Sequence, residues 1–117
     1  MIIVTARLVF ETQEDRDRAT VNSTEPQAKT RDEEPGCLMY CFAADPAVPT
    51  EIQVYELWED PASLEAHFAH PNYAGMVQAL GASGGMVESI SRQYVADDRG
   101  TVYDDDDRTP RIHALMD

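Results

Sequence analysis

From Ile2 to Val95 the apolar positions recur in two rhythms, short β-branched and aromatic runs and longer stretches spaced for a helix. Ile2 to Phe10, interrupted by Arg7, predicts a first strand. At Thr12 the pattern turns charged. Gln13-Glu14-Asp15-Arg16-Asp17-Arg18-Ala19 puts acids in the first turn of a helix. This helix is expected to reach about Glu34, kinked or split at Pro26, which has no N–H for the ladder. It has few large apolar residues, so a weak grip on the sheet is expected. Pro35-Gly36 stops it, and Cys37 to Phe42 predicts a second strand. After a proline-containing loop, Ile52 to Trp58 predicts a third. Val54, Glu56 and Trp58 share one of its faces, and Gln53, Tyr55 and Leu57 the other.

Asp60-Pro61 is a helix start, an N-cap acid followed by proline in the first turn. The helix it opens carries Leu64, His67 and Phe68 on one stripe. His70-Pro71-Asn72 restarts the chain into another helix, with Met76, Val77 and Leu80 expected inward. Gly81 to Gly85 breaks that helix, and Met86 to Val95 reads as the last strand. The order β-α-β-β-α-α-β is the ferredoxin-like arrangement of the α+β class. Helices cover one face of such a sheet and leave the other bare. With Tyr55 and Leu57 on the bare face, two sheets stacked face to face would close a homodimer.

The length, 117 residues, suits one domain over residues 1–97 with a tail over 98–117. A chain this short buries a modest fraction of its surface, so pairing would help it. The tail is acidic at Asp97-Asp98 and Asp104 to Asp107, contains Gly100 and Pro110, and ends in a small apolar patch from Ile112 to Met116. Two readings stay open for it, a disordered tail or an arm over the partner. A formal charge of −13 argues against nucleic acid and against anionic membrane surfaces as partners. No apolar run is long enough to cross a bilayer, and no basic stretch precedes the first apolar one, so a cytoplasmic protein without a secretory signal is expected. The two cysteines, Cys37 and Cys41, would face the same side of a strand, and are expected to be free thiols. At roughly 13 Å they would be too far apart for a disulfide.

The chemistry-bearing residues crowd between Tyr55 and Tyr73. A strand ending Glu56-x-Trp58-x-Asp60, a helix with His67 near its end and a His70-Pro71 restart together resemble the antibiotic biosynthesis monooxygenase family. Glu34-Pro35-Gly36-Cys37 resembles that family's turn between the first helix and second strand. The resemblance runs from Ile2 to about Val95 and implies a dimeric α+β barrel. The family includes oxygenases, isomerases and proteins with no known activity.

For this chain the resemblance implies a monooxygenase that oxidises a phenolic, quinol or polyketide-type aromatic with molecular oxygen and with neither metal nor flavin. Such chemistry must seat a flat ring, remove a phenolic proton and stabilise the anion. Trp58 and Tyr73 could stack on a ring, and His67 or His70 could take the proton. Arg92 could pair with an oxyanion if its face is the inner one, and Glu56 could hold a polar group beside Trp58. His67, Trp58 and Tyr73 are thus the catalytic candidates, and Glu56, His70 and Arg92 the substrate-binding ones. Each also fits a structural role: Trp58 and His67 as core, His70 as a helix cap, Glu56 as an internal partner. No metal-ligand set, phosphate loop or Gly-x-Ser-x-Gly elbow is present in the sequence. A haem-degrading enzyme of similar fold would need an Asn on the first strand, and Ile2 to Phe10 has none. A non-catalytic ligand-binding dimer and a proton-transfer isomerase or cyclase remain alternatives.

Overall fold

The helix starts follow from local side-chain chemistry. The Thr12 hydroxyl accepts from the Asp15 N–H at 3.1 Å, the Asp60 carboxylate from Ser63 at 2.8 Å, and His70 Nδ1 from Asn72 at 3.0 Å. Each satisfies a backbone donor that a helix start leaves unpaired. The computed structural model describes residues 1–112. Its elements are β1 (Ile2–Phe10), α1 (Gln13–Asn22), α2 (Thr24–Glu33), β2 (Cys37–Ala44), β3 (Glu51–Trp58), α3 (Pro61–Phe68), α4 (Pro71–Ser83) and β4 (Met86–Val95).

The first helix divides at Ser23, ahead of Pro26. Pro26 thereby stands in the first turn of α2, where its missing N–H has no helical partner to lose. Gly81 does not end the last helix. α4 runs on to Ser83 and stops at Gly84 and Gly85, whose φ values of 73° and 74° lie in the left-handed region that glycine tolerates.

The four strands form one antiparallel sheet in the order β2-β3-β1-β4. Register alone sorts the side chains. Ile2, Val4, Ala6 and Leu8 of β1 share the inner, helix-covered face with Val54, Glu56 and Trp58 of β3. The outer face carries Tyr55, Leu57, Met39, Ile90 and Tyr94, with Tyr94 51% exposed. β2 departs from simple alternation. Cys37 pairs with Trp58 but Met39 pairs with Leu57, a bulge that inserts Leu38. The two cysteines therefore do not share a face: Cys37 packs on the inner core, while Cys41, opposite Tyr55, lies on the outer face. Both are free thiols.

Ile2, Tyr40, Trp58, Leu64 and Met76 form one core cluster, and Leu8, Phe10, Ala19, Ile52 and Val54 a second. The apolar-poor α1 and α2 are nonetheless held firmly, by buried polar side chains rather than by apolar area. Arg16 Nη1 reaches the carbonyls of Asp45, Val48 and Glu51 at 3.2–3.3 Å. Gln27 accepts from the Phe42 N–H at 2.9 Å and donates to the Phe42 carbonyl at 3.2 Å. Arg31 Nε donates to the Tyr40 carbonyl at 2.6 Å. The last two close the free edge of β2, which would otherwise offer unpaired backbone groups.

β4 has no such cover. It pairs with β1 only, and every residue in it is exposed. The helices stop short of its inner face and leave a cleft there. Beyond it, residues 102–111 fold back through a Tyr103–Pro110 bridge and an Arg111–Asp104 ion pair. The apolar patch expected from Ile112 to Met116 lies, apart from Ile112, outside the described residues. No helix among the described residues is long and apolar enough to cross a membrane.

Candidate functional site

The cleft has a volume of about 430 Å³, within the range of small-molecule sites. Val4, Ala6, Phe42 and Val54 of the sheet form its floor, and Phe68, Met76 and Val77 its helical wall. Val77 and Phe68, expected inward, are each 54% exposed because they border this open space rather than the core. Tyr40, Glu56, His67 and Tyr73 are the ionisable side chains that its inner end gathers.

His67 is the centre of the arrangement. It is 1% exposed and packed among rings, with Trp58 at 4.6 Å, Tyr40 at 5.4 Å and Tyr73 at 5.6 Å between centroids. Its Nδ1 lies 2.8 Å from Oε1 of Glu34, itself buried. The other Glu34 oxygen accepts from Asn72 Nδ2 at 3.2 Å. In the tautomer that carries its hydrogen on Nδ1, His67 donates to Glu34 and keeps the ring lone pair on Nε2, which bonds no described residue.

The Glu34–His67 contact is built by the turn between α2 and β2. A Cβ at Gly36 would stand 2.0 Å from the Ser63 hydroxyl, so only glycine lets the turn approach α3 this closely. Ser63 and His67 are one helical turn apart on the same face of α3. The seat of Gly36 on Ser63 brings Glu34 under His67. The Glu59 N–H, donating to the Gly36 carbonyl at 2.9 Å, ties the same turn to the end of β3.

The remaining side chains are tuned by burial. Burial pushes the Glu56 carboxyl above its ordinary value, opposed by the Trp58 Nε1–H donating to Oε1 at 3.0 Å and assisted by the Glu34 charge. Burial, with Glu56 and Glu34 nearby, pushes the Tyr40 phenol far up, against an opposing side-chain interaction with Thr30, so it stays protonated. The Cys37 thiol is raised to about 11 by burial and by Glu34 and Glu56, against the pull of Arg31. It is therefore a packing thiol rather than a thiolate nucleophile.

The six sequence candidates separate by location. His67, Tyr73 and Glu56 meet at the cleft. Trp58 is fully buried behind His67 and borders a shallow depression on the other side, so its ring is not part of the cleft wall. His70 caps α4 and lines that same depression. Arg92 pairs with Thr5, which puts it on the outer face in register, and it borders the cleft only along the sheet edge. Glu34 and Tyr40 were not among the candidates. The signals for them were the Glu34-Pro35-Gly36-Cys37 turn and the inward alternation of Tyr40 with Phe42. Among the described residues no group of three or more His, Cys, Asp or Glu is arranged to hold a metal ion.

The model of the antibiotic biosynthesis monooxygenase family matches residues 1–79, from β1 into α4. The chain belongs to that family. Solved structures share the fold over most of its length. A proposed antibiotic biosynthesis monooxygenase from Deinococcus radiodurans is 20% identical, with a TM-score of 0.70, over 89% of this chain and 100% of that one. Another antibiotic biosynthesis monooxygenase is 26% identical, with a TM-score of 0.69, over 84% of this chain and 100% of that one. A variant of SnoaB, a cofactor-independent oxygenase from Streptomyces nogalater, is 15% identical, with a TM-score of 0.66, over 86% and 95%. No curated protein sequence matches significantly. Within this family's α+β fold, the cleft of the present chain lies between the sheet and α3 and α4.

Proposed function

We propose that this chain is a cofactor-independent monooxygenase acting on a phenolic, quinol or polyketide-type aromatic. The observation that carries the reading is the imidazole of His67 in the cleft wall, its Nδ1 held by Glu34 and its Nε2 without a partner among the described residues. A carboxylate behind a histidine sets the tautomer and steadies the imidazolium that forms when the base takes a proton. Tyr40, Phe68 and Tyr73 supply aromatic surfaces for a flat ring. The neutral Tyr40 phenol is a donor for the developing oxyanion.

The reaction needs no external reductant. A phenol that loses its proton can donate an electron to oxygen. Oxidation of a ring C–H para to the hydroxyl then gives a quinone: the phenol and O2 become the quinone and water, one oxygen atom in each product. Four electrons leave the ring and four reach oxygen. Proton removal is the step that the protein must supply.

The bare outer face is the surface for a second copy, with Tyr55, Leu57 and Tyr94 as its apolar centre. The Glu34–His67 pair would equally serve a proton-transfer isomerase or cyclase, which oxygen uptake distinguishes. Purified protein, with no flavin or metal added, should consume oxygen with simple phenols and hydroquinones. His67→Ala should reduce that uptake by roughly two to four orders of magnitude. Turnover without oxygen uptake would favour the isomerase, and full activity in the variant would remove His67 from the chemistry.

A further inference from the structure

The cleft does not end at the ionisable cluster. A second hollow of about 460 Å³ continues it between α4 and β4, and the two share Leu8, Val77, Leu80 and Ser89 in their walls. The character of the wall changes along this length. Rings line the first part: Tyr40, Phe42, Phe68 and Tyr73. The continuation has no ring and no ionisable group, only Leu8, Val77, Leu80, Met86 and Ser89 with the glycines at the end of α4.

We propose that the substrate carries a saturated apolar chain on its phenolic ring, and that this chain lies in the α4–β4 groove. The proposal rests on the phenol-oxidising reading of the same cleft. A flat ring gains from stacking, which only the aromatic part of the wall offers. A saturated chain gains from apolar area alone and needs no ring opposite it. Val77 and Met86 stand 54% and 37% exposed along this path, an apolar lining with no described segment over it. The groove also lies on the inner side of β4, where Met86 pairs with Phe10 and Ser89 with Leu8. It is thus separate from the outer face that would meet a second copy. The lack of any charge in its wall argues against a carboxylate or phosphate on the extension.

The test is a binding series on the full chain by titration calorimetry, using 3-methyl-, 3-propyl- and 3-pentylphenol, which leave the para C–H free. Affinity should rise about three- to fourfold for each added methylene. Gly81→Leu supplies the control. Gly81 lines the groove but not the aromatic part of the cleft, and a Cβ there meets nothing within 4 Å, so the helix accepts a side chain. Leucine should fill the groove and flatten the chain-length gradient.

A gradient that flattens in Gly81→Leu supports the proposal. If methylphenol binds but affinity does not depend on chain length, the proposal is overturned and the phenol reading stands. An undiminished gradient in Gly81→Leu also overturns it, because the chain then lies elsewhere. Failure of every phenol to bind removes both readings together.

Discussion

Oε1 of Glu34 and Nδ1 of His67 lie 2.8 Å apart, both buried, although 33 positions separate them in the chain. A buried carboxylate needs partners, and this one hydrogen-bonds the imidazole and the Asn72 amide, with His70 Nδ1 4.0 Å from its other oxygen. In the proposed reaction the other ring nitrogen of His67, Nε2, which bonds no described residue, takes the proton. Glu34→Gln keeps the size of the side chain but removes the charge that steadies the imidazolium. Turnover should fall by roughly two to four orders of magnitude, by analogy with the loss of a triad carboxylate. KM should change far less. A parallel collapse of KM and of the folded state would make Glu34 a purely structural residue.

Gly36 and Ser63 set that distance. In Gly36→Ala the new Cβ would meet the Ser63 hydroxyl at 2.0 Å and its Cβ at 2.3 Å. Overpacking of this kind costs about 1–3 kcal/mol, which chemical denaturation would read directly. Activity should fall with it, because the turn that presents Glu34 is displaced. Adding Ser63→Gly removes both clashing atoms and should restore much of the loss. An unaltered stability in the single variant would show that the turn can shift without cost.

Glu56 makes the protein's stability depend on pH in a specific direction. Its folded pKa is raised, chiefly by burial, so the folded state holds the proton more tightly than the unfolded chain does. That contribution is fully present below the ordinary carboxylate pKa and is lost as pH rises through the raised one. Glu56→Gln keeps an acceptor for Trp58 and removes the titration. It should melt higher than the parent at pH 8, with the advantage shrinking as pH falls towards 4. A constant difference across that window would contradict the assignment.

Association through the outer face is open to a direct mass measurement. Light scattering at micromolar concentration should give twice 13.1 kDa. Tyr94→Asp places a charge at a site 51% exposed in the single chain and should shift the mass towards one copy. A monomer mass for the parent would leave Tyr55 and Leu57 without the partner proposed for them.

Much of the fold could be read locally. The alternation of Val54, Glu56 and Trp58 against Tyr55 and Leu57, and the caps at Asp60 and His70, rest on contacts within a few residues. An inserted residue leaves no mark in a run of apolar side chains, so the bulge at Leu38, which parts Cys37 from Cys41, is not legible in the sequence. The last helix continues past Gly81 because a lone glycine is tolerated in a helix that packing supports. The site was half visible. His67, Tyr73 and Glu56 fall at the cleft, whereas Trp58 lies one layer behind it. Glu34 is marked in sequence by the Glu-Pro-Gly-Cys turn, and the approach of Gly36 to Ser63, a tertiary fact, goes with its contact to His67.

Transfer of a proton from a cleft-bound phenol to His67 can be read apart from oxygen chemistry by anaerobic absorption spectroscopy. A chromogenic phenol that is mostly neutral in the buffer is mixed with the protein under nitrogen. A phenolate band should appear, saturate with the protein, and be lost in His67→Ala while the phenol still binds. A bound phenol that remains neutral in the parent, or a phenolate band that survives in His67→Ala, would contradict it.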